Sequence, residues 1–151
     1  MAKLTHINEE GAAAMVDVSD KAVSKREAIA AGKIRLRPET LEAIKSDHIA
    51  KGNVLAVARI AGIQAAKQTW QLIPLCHQLP LSHVEVEFEL VDDGVEIRGT
   101  ARTKAQTGVE MEALTAVNLA ALTIYDMCKA IDKSMEIGEV RLLQKTKETL
   151  D

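Results

Sequence analysis

The chain is nearly without aromatic side chains: Trp70, Phe88 and Tyr125 are all there are in 151 residues. That leaves almost nothing on which nucleic-acid bases could stack. Positive charge is not in excess either, since 19 Lys plus Arg stand against 22 Asp plus Glu, a formal net charge of −3. A polyanionic duplex finds no electrostatic footprint here, and nucleic-acid binding is disfavoured. No apolar run approaches the roughly 18 residues of a membrane-spanning helix, and the opening MAKLTHINEEG has no signal-like apolar stretch. The expectation is a cytoplasmic protein with no membrane partner. Cysteine is scarce: Cys76 and Cys128 could close one bridge at most, and free thiols are expected. Cys76, His77, His83 and Cys128 lack the spacing of a metal-ligand set, so no metal site is expected. Glycine-rich phosphate loops and a Gly-x-Ser-x-Gly elbow are both missing, so any phosphate must be held by side chains.

What the chain does have is small and branched aliphatic residues, within a 47% apolar content, and no repeat, low-complexity tract or linker. Residues 1–151 read as one domain, long enough to fold without disulfides or metal. About 1–14 reads as an extended arm and about 146–151 as a short tail. Between 22 and 37 the alternation around Ile34 and Leu36 favours a strand in the C-terminal half. Pro38 opens a short helix carrying Leu41 and Ile44. Asn53 caps a helix of about twenty residues that Pro74 stops. HVEVEFEL (83–90) and GVEIRGTAR (94–102) alternate strictly around Val91-Asp92-Asp93-Gly94, which predicts a hairpin with Arg98 and Arg102 across from Glu85, Glu87 and Glu89. Thr107 and Glu110 match a capping box for a helix running to about Lys133. EVRLLQK (139–145) predicts a short last strand. This order implies an α+β fold with helices on one face of a mainly antiparallel sheet.

Three features could carry chemistry. In LIPLCHQLPL (72–81) a thiol and an imidazole, Cys76 and His77, sit in a proline-bounded apolar turn. His77 could move a proton there and Cys76 line a pocket, although a buried Cys and a satisfied His would give the same pattern. On the long helix, Asp126, Lys129 and Lys133 fall within about 60° of arc, with Glu112 about 40° from Asp126. An Asp-x-x-Lys pair is ordinarily a surface ion pair. Here the stretch Ala113 to Ile124 is nearly all small or apolar, and charges among such neighbours are where pKa values shift usefully. Finally, Arg26, Lys51, Lys67, Lys129 and Lys133 are scattered bases that would suit a phosphate-rich ligand if the fold gathered them.

Taken together, MVDVS (15–19), KGNVLAVARIAGIQAAKQTW (51–70), LIPLCHQLPL, TGVEMEALTAV (107–117) and ALTIYDMCKA (121–130) resemble, in order and spacing, the cyclic pyranopterin monophosphate synthase family of molybdenum-cofactor biosynthesis. The resemblance spans nearly the whole chain. It implies a ferredoxin-like α+β fold assembled as a homohexamer, a trimer of dimers, with each active site at a subunit boundary. The implied substrate is a cyclised dihydro-GTP, rearranged to a cyclic pyranopterin monophosphate with release of pyrophosphate. By position, the family's essential aspartate and lysine fall on Asp126 and Lys129, which the resemblance makes the acid–base pair. Its substrate-contacting Leu-Cys-His falls on Leu75, Cys76 and His77, and its Met-Glu pair on Met111 and Glu112. Lys51, Lys67, Arg26, Asp17 and Glu110 match further positions lining the same pocket.

In this reading Glu112, Glu110 and His77 meet the purine end, while Arg26, Lys51, Lys67 and Lys133 neutralise the triphosphate. No resident cofactor is implied, and Mg²⁺ accompanying the triphosphate stays open. Two departures stand out. Gln78 follows His77 where the family has proline, and the chain ends QKTKETLD rather than in a Gly-rich, Lys-containing tail, leaving Lys145 and Lys147. The competing reading is a catalytically silent nucleotide-binding oligomer of the same fold.

Overall fold

The computed structural model describes residues 2 and 4–150. Alternation of small or aliphatic residues builds the middle of the sheet. Ala28, Ala30, Gly32 and Ile34 of β1 (Ser24–Arg35) stand in register with Ala101, Gly99, Ile97 and Val95, and all eight are buried on one face. Those partners belong to β3 (Gly94–Ala105), which β2 (Leu81–Val91) joins through the expected hairpin. β4 (Glu136–Thr149) flanks β1, so the order is β2-β3-β1-β4 with every neighbouring pair antiparallel.

Between β1 and β2 lie α1 (Pro38–Lys45), α2 (Val54–Lys67) and α3 (Thr69–Leu72); α4 (Glu110–Cys128) joins β3 to β4. The helical layer covers one face of the sheet, a ferredoxin-like α+β arrangement. Small residues let it come close. A Cβ on Gly99 would stand 3.0 Å from the Ala113 carbonyl oxygen of α4, and one on Gly62 of α2 would stand 2.9 Å from the Ala116 carbonyl oxygen. The core between the layers is aliphatic, with Ile34, Val95, Ile97, Val117 and Ile124 fully buried.

Several expectations need correction. β1 begins at Ser24, so the first half of the 22–37 stretch is largely strand as well. The helix capped by the Asn53 side chain breaks at Gln68. There the Thr69 hydroxyl donates to the carbonyls of Ala65 and Ala66, taking up acceptors that the ending helix frees. Arg98 does face Glu87, but Arg102 faces His83 and pairs with Glu27 of β1.

At the start of α4 there is no capping box: the N-cap position is Val109, with no side-chain cap. Glu110 instead folds back over Gly108, filling the space a side chain there would need. The helix ends at Cys128, which puts Lys133 in the following loop rather than on the helical face shared by Asp126 and Lys129. β4 is twice the expected length and takes in residues 146–149, read above as tail. Of the 1–14 arm, Ile7 and Ala13 bridge across a turn that the Asn8 side chain ties by accepting from Glu10 and Ala12. Met1 and Lys3 of that arm and Asp151 of the tail lie outside the described residues.

Candidate active site

Two groups of expected residues lie at opposite ends of α4, while Arg26, Lys67 and Lys133 are not gathered with either. At its C-terminal end Asp126 is exposed and clamped between two ammonium groups. Lys51 Nζ lies 2.9 Å from Oδ2 and Lys129 Nζ 3.0 Å from Oδ1. Lys51 also donates to the Asp126 backbone carbonyl at 3.1 Å. The helix end favours both cations, since last-turn carbonyls lack partners and carry the negative end of the dipole. Hydrogen bonds from Lys51 and then Lys129 hold the Asp126 carboxyl below the usual carboxylate range. The expectation that these charges sit among buried small residues is not met: Asp126 and Lys129 are both exposed and form the ordinary i, i+3 surface ion pair, to which Lys51 adds a second cation, and pairs of this kind contribute little to stability.

The loops position the two lysines. Lys129 sits at the C-cap of α4, its amide donating to Tyr125. Lys51 lies in the turn between α1 and α2, where Ile49 is buried and Gly52 has a φ of 107° that side-chain-bearing residues resist. Lys133 is exposed, four residues past Lys129.

At the N-terminal end of α4, Glu112 is 4% exposed. Burial, with the nearby Glu110 charge, pushes its carboxyl up to about 7. Cys76 is half-buried beside it, and burial followed by the Glu112 charge raises its thiol, so Cys76 stays S–H at neutral pH rather than acting as a thiolate. His77 Nε2 lies 2.6 Å from the Val16 carbonyl. A carbonyl only accepts, so Nε2 carries the proton and Nδ1 is left for a ligand.

Asp17, next to Val16, is held ionised by hydrogen bonds from Ser19, with a smaller contribution from His77. Leu75 is half-buried and Met111 exposed in the same region. Glu110 takes Lys145 of β4 at 3.5 Å. Arg26 of β1 is in register with Lys147 and donates to the Ser24 hydroxyl. Lys67, the last residue of α2, lines a groove of about 420 Å³ with Leu79, Leu81 and His83.

Glu112 and Asp126 are fourteen positions apart, about 21 Å along the helix. One chain thus does not bring Lys51, Asp126 and Lys129 together with Cys76, His77, Glu110 and Glu112. Among the described residues no three His, Cys, Asp or Glu side chains gather as a metal site, and no helix is long and apolar enough to cross a membrane.

Residues 15–148 match the model of the MoaC family. The chain belongs to the MoaC family. MoaC-family relatives named cyclic pyranopterin monophosphate synthase include that of Desulfitobacterium hafniense, 59% identical over 145 residues, and that of Chloroflexus aurantiacus, 58% identical over the same length; each alignment covers 95% of this chain and 89% of the relative. A molybdenum cofactor biosynthesis bifunctional protein of Chlorobaculum tepidum is 57% identical over 144 residues, covering 95% of this chain and 46% of that protein.

Within this MoaC-family chain two residues near the candidate site carried no clear sequence signal. Lys145 carried no motif of its own; an extended β4 sets it on Glu110. Asp132 falls inside the helix expected to run to about Lys133 and has no role in the sequence reading, yet it is fully buried. The Asp132-Lys133-Ser134 spacing of a side-chain-capped turn was its one sign.

Proposed function

We propose that this chain is a cyclic pyranopterin monophosphate synthase, converting cyclised dihydro-GTP to cyclic pyranopterin monophosphate and pyrophosphate. The observation that carries this reading is the carboxylate of Asp126 held between Lys51 and Lys129. Opening one ring and closing another needs a proton acceptor and donor at the same atoms, and an ionised carboxylate within 3.0 Å of an ammonium supplies both. Glu112 and the Nδ1 side of His77 offer acceptors to the N1–H and amino group of the guanine. Arg26, Lys67 and Lys145 are the cations for the triphosphate, offsetting the charge that develops as pyrophosphate leaves. Lys51, already bound to Asp126, joins the acid–base group instead.

The acid–base group must lie within hydrogen-bond reach of atoms that the guanine-reading residues hold, and about 21 Å of helix separates the two. We therefore assign each complete site to two copies of the chain, one giving the Asp126 end and the other the Glu112 end, within a homohexamer. Exposed Val57 and Ile60 on α2, Leu122 on α4, and Leu142 and Leu143 on the edge strand β4 are surfaces that neighbouring copies would cover. The reading also places the protein in the cytoplasm.

Purified protein incubated with cyclised dihydro-GTP should release pyrophosphate and yield the oxidised, fluorescent pterin. Asp126→Ala and Lys129→Ala should each lower turnover by roughly 10²- to 10⁴-fold with the fold intact. Binding of the compound without either product would favour the silent nucleotide-binding oligomer.

A further inference from the structure

Asp132 is the one charged side chain with no solvent exposure among the described residues, and the acid–base chemistry assigns it no direct part. Its carboxylate is surrounded by donors. Oδ2 accepts from the Arg37 amide at 3.0 Å and the Thr40 hydroxyl at 2.9 Å. Oδ1 accepts from the Ser134 amide at 2.9 Å and hydroxyl at 2.8 Å, with Arg37 Nε 3.5 Å away. Burial alone would push this carboxyl up, but the bonds from Arg37, Ser134 and Thr40 together hold it at about 2. Four donors meeting two oxygens require an ionised carboxylate: an amide in its place would point N–H groups at N–H and O–H groups.

The bonds tie together two segments more than ninety residues apart in sequence. One is the turn that ends α4, in which the amides of Ile131 and Asp132 both donate to Cys128 and Lys129 sits three residues before Asp132. The other is the start of α1, a helix whose own N-cap position, Arg37, supplies no side-chain cap. The Arg37 guanidinium closes the joint by donating to the Ile131 carbonyl. From α1 the chain runs through buried Ile49 to Lys51, which returns to Asp126. The loop is thereby closed: α4, its terminal turn, Asp132, α1, Lys51 and back to α4.

We propose that Asp132 is a positioning residue that, through Thr40 and Arg37, holds the segments carrying Lys129 and Lys51 so that both ammonium groups meet Asp126. This rests on the acid–base reading given above. A displacement of about 1 Å at such a group lowers rates by roughly 10²-fold even when the fold survives. Thr40 is buried and nearly isosteric with valine, so Thr40→Val removes one bond to Asp132 while keeping the packing.

The test compares wild type, Asp132→Asn, Thr40→Val, Thr40→Ser and Lys129→Ala, each checked for folding and assembly. It measures kcat and KM for cyclised dihydro-GTP, together with the NMR signals of the lysine ε-methylenes of Lys51 and Lys129. The expected result for Asp132→Asn is a kcat lowered about ten- to a hundredfold, with KM within about threefold and the lysine signals moved toward those of free lysine. Thr40→Val should shift both readouts in the same direction and Thr40→Ser should restore them. Should Asp132→Asn fail to fold, the two Thr40 variants carry the comparison. Unmoved lysine signals, or a full kcat per folded enzyme while Lys129→Ala is dead, would overturn the proposal. Moved signals with full turnover in Lys129→Ala as well would leave the clamp standing and remove the acid–base reading.

Discussion

At the residue scale, Glu112 is a carboxyl that the fold moves toward neutrality. Its carboxyl, raised to about 7 by burial and by Glu110, is half-protonated near neutrality. Guanine presents two donors on its N1–H and amino edge, which an ionised carboxylate accepts as a pair; a protonated one accepts less and offers a donor where none is wanted. Binding of substrate should therefore improve as pH rises through 7 and weaken below it. KM measured from pH 6 to 8 should fall with pH in the wild type and stay flat, at a higher value, in Glu112→Gln. An equal pH response in the variant would assign the titration to another group. The same burial has a stability cost. The folded pKa is raised from an ordinary 4.5, so stability linked to this residue is full below about 4.5 and lost as pH rises through 7. Relative to Glu112→Gln, wild type should lose stability over that window, by up to about 3 kcal/mol, as read by thermal unfolding at pH 5 and pH 8.

At the scale of elements, the close approach of α2 to α4 rests on Gly62. Alanine in a helix interior is favoured over glycine by about 1 kcal/mol. A Cβ at 62, however, would stand 2.9 Å from the Ala116 carbonyl oxygen and 3.0 Å from Val86 Cγ2, and backbone cannot swing aside. Overpacking of that kind costs about 1–3 kcal/mol, so Gly62→Ala should lower the urea midpoint rather than raise it. The β2–β3 hairpin was legible from its strict alternation, whereas α2 and α4 were legible from helix-forming composition and end signals and came out shorter than expected. Elements without such signals were not. Gln144 to Glu148 of β4 is polar on both faces and exposed, so nothing in its pattern distinguishes strand from tail; its pairing with β1 decides it. The capping box at Thr107 failed because Glu110 turned back over Gly108 and toward Lys145, a tertiary partner that no local motif reveals.

At the scale of the whole molecule, a helical projection sets Glu112 near Asp126 in azimuth and is silent about distance. Both sit on α4, but one end of that helix is covered, leaving Glu112 4% exposed, while Asp126 at the other end is open. The Asp126–Lys129 pair was legible because both partners lie on one helical turn; its junction with Lys51 was not, since it depends on α1 and Asp132 folding that loop back. Fourteen residues of one helix already set the two clusters about 21 Å apart, which the projection down the helix axis leaves out. Division of a site between copies makes an outcome that a single-chain site cannot give. Lys129→Ala and Glu112→Ala should each be nearly inactive alone. Mixed under conditions that let subunits exchange, each complete site would draw one half from each of two chains, and about a quarter of the sites would receive both intact halves. Activity should thus rise to roughly a quarter of the wild-type value after exchange. If both defects lay within one chain's own site, every site would carry one lesion or the other, and mixing would restore nothing.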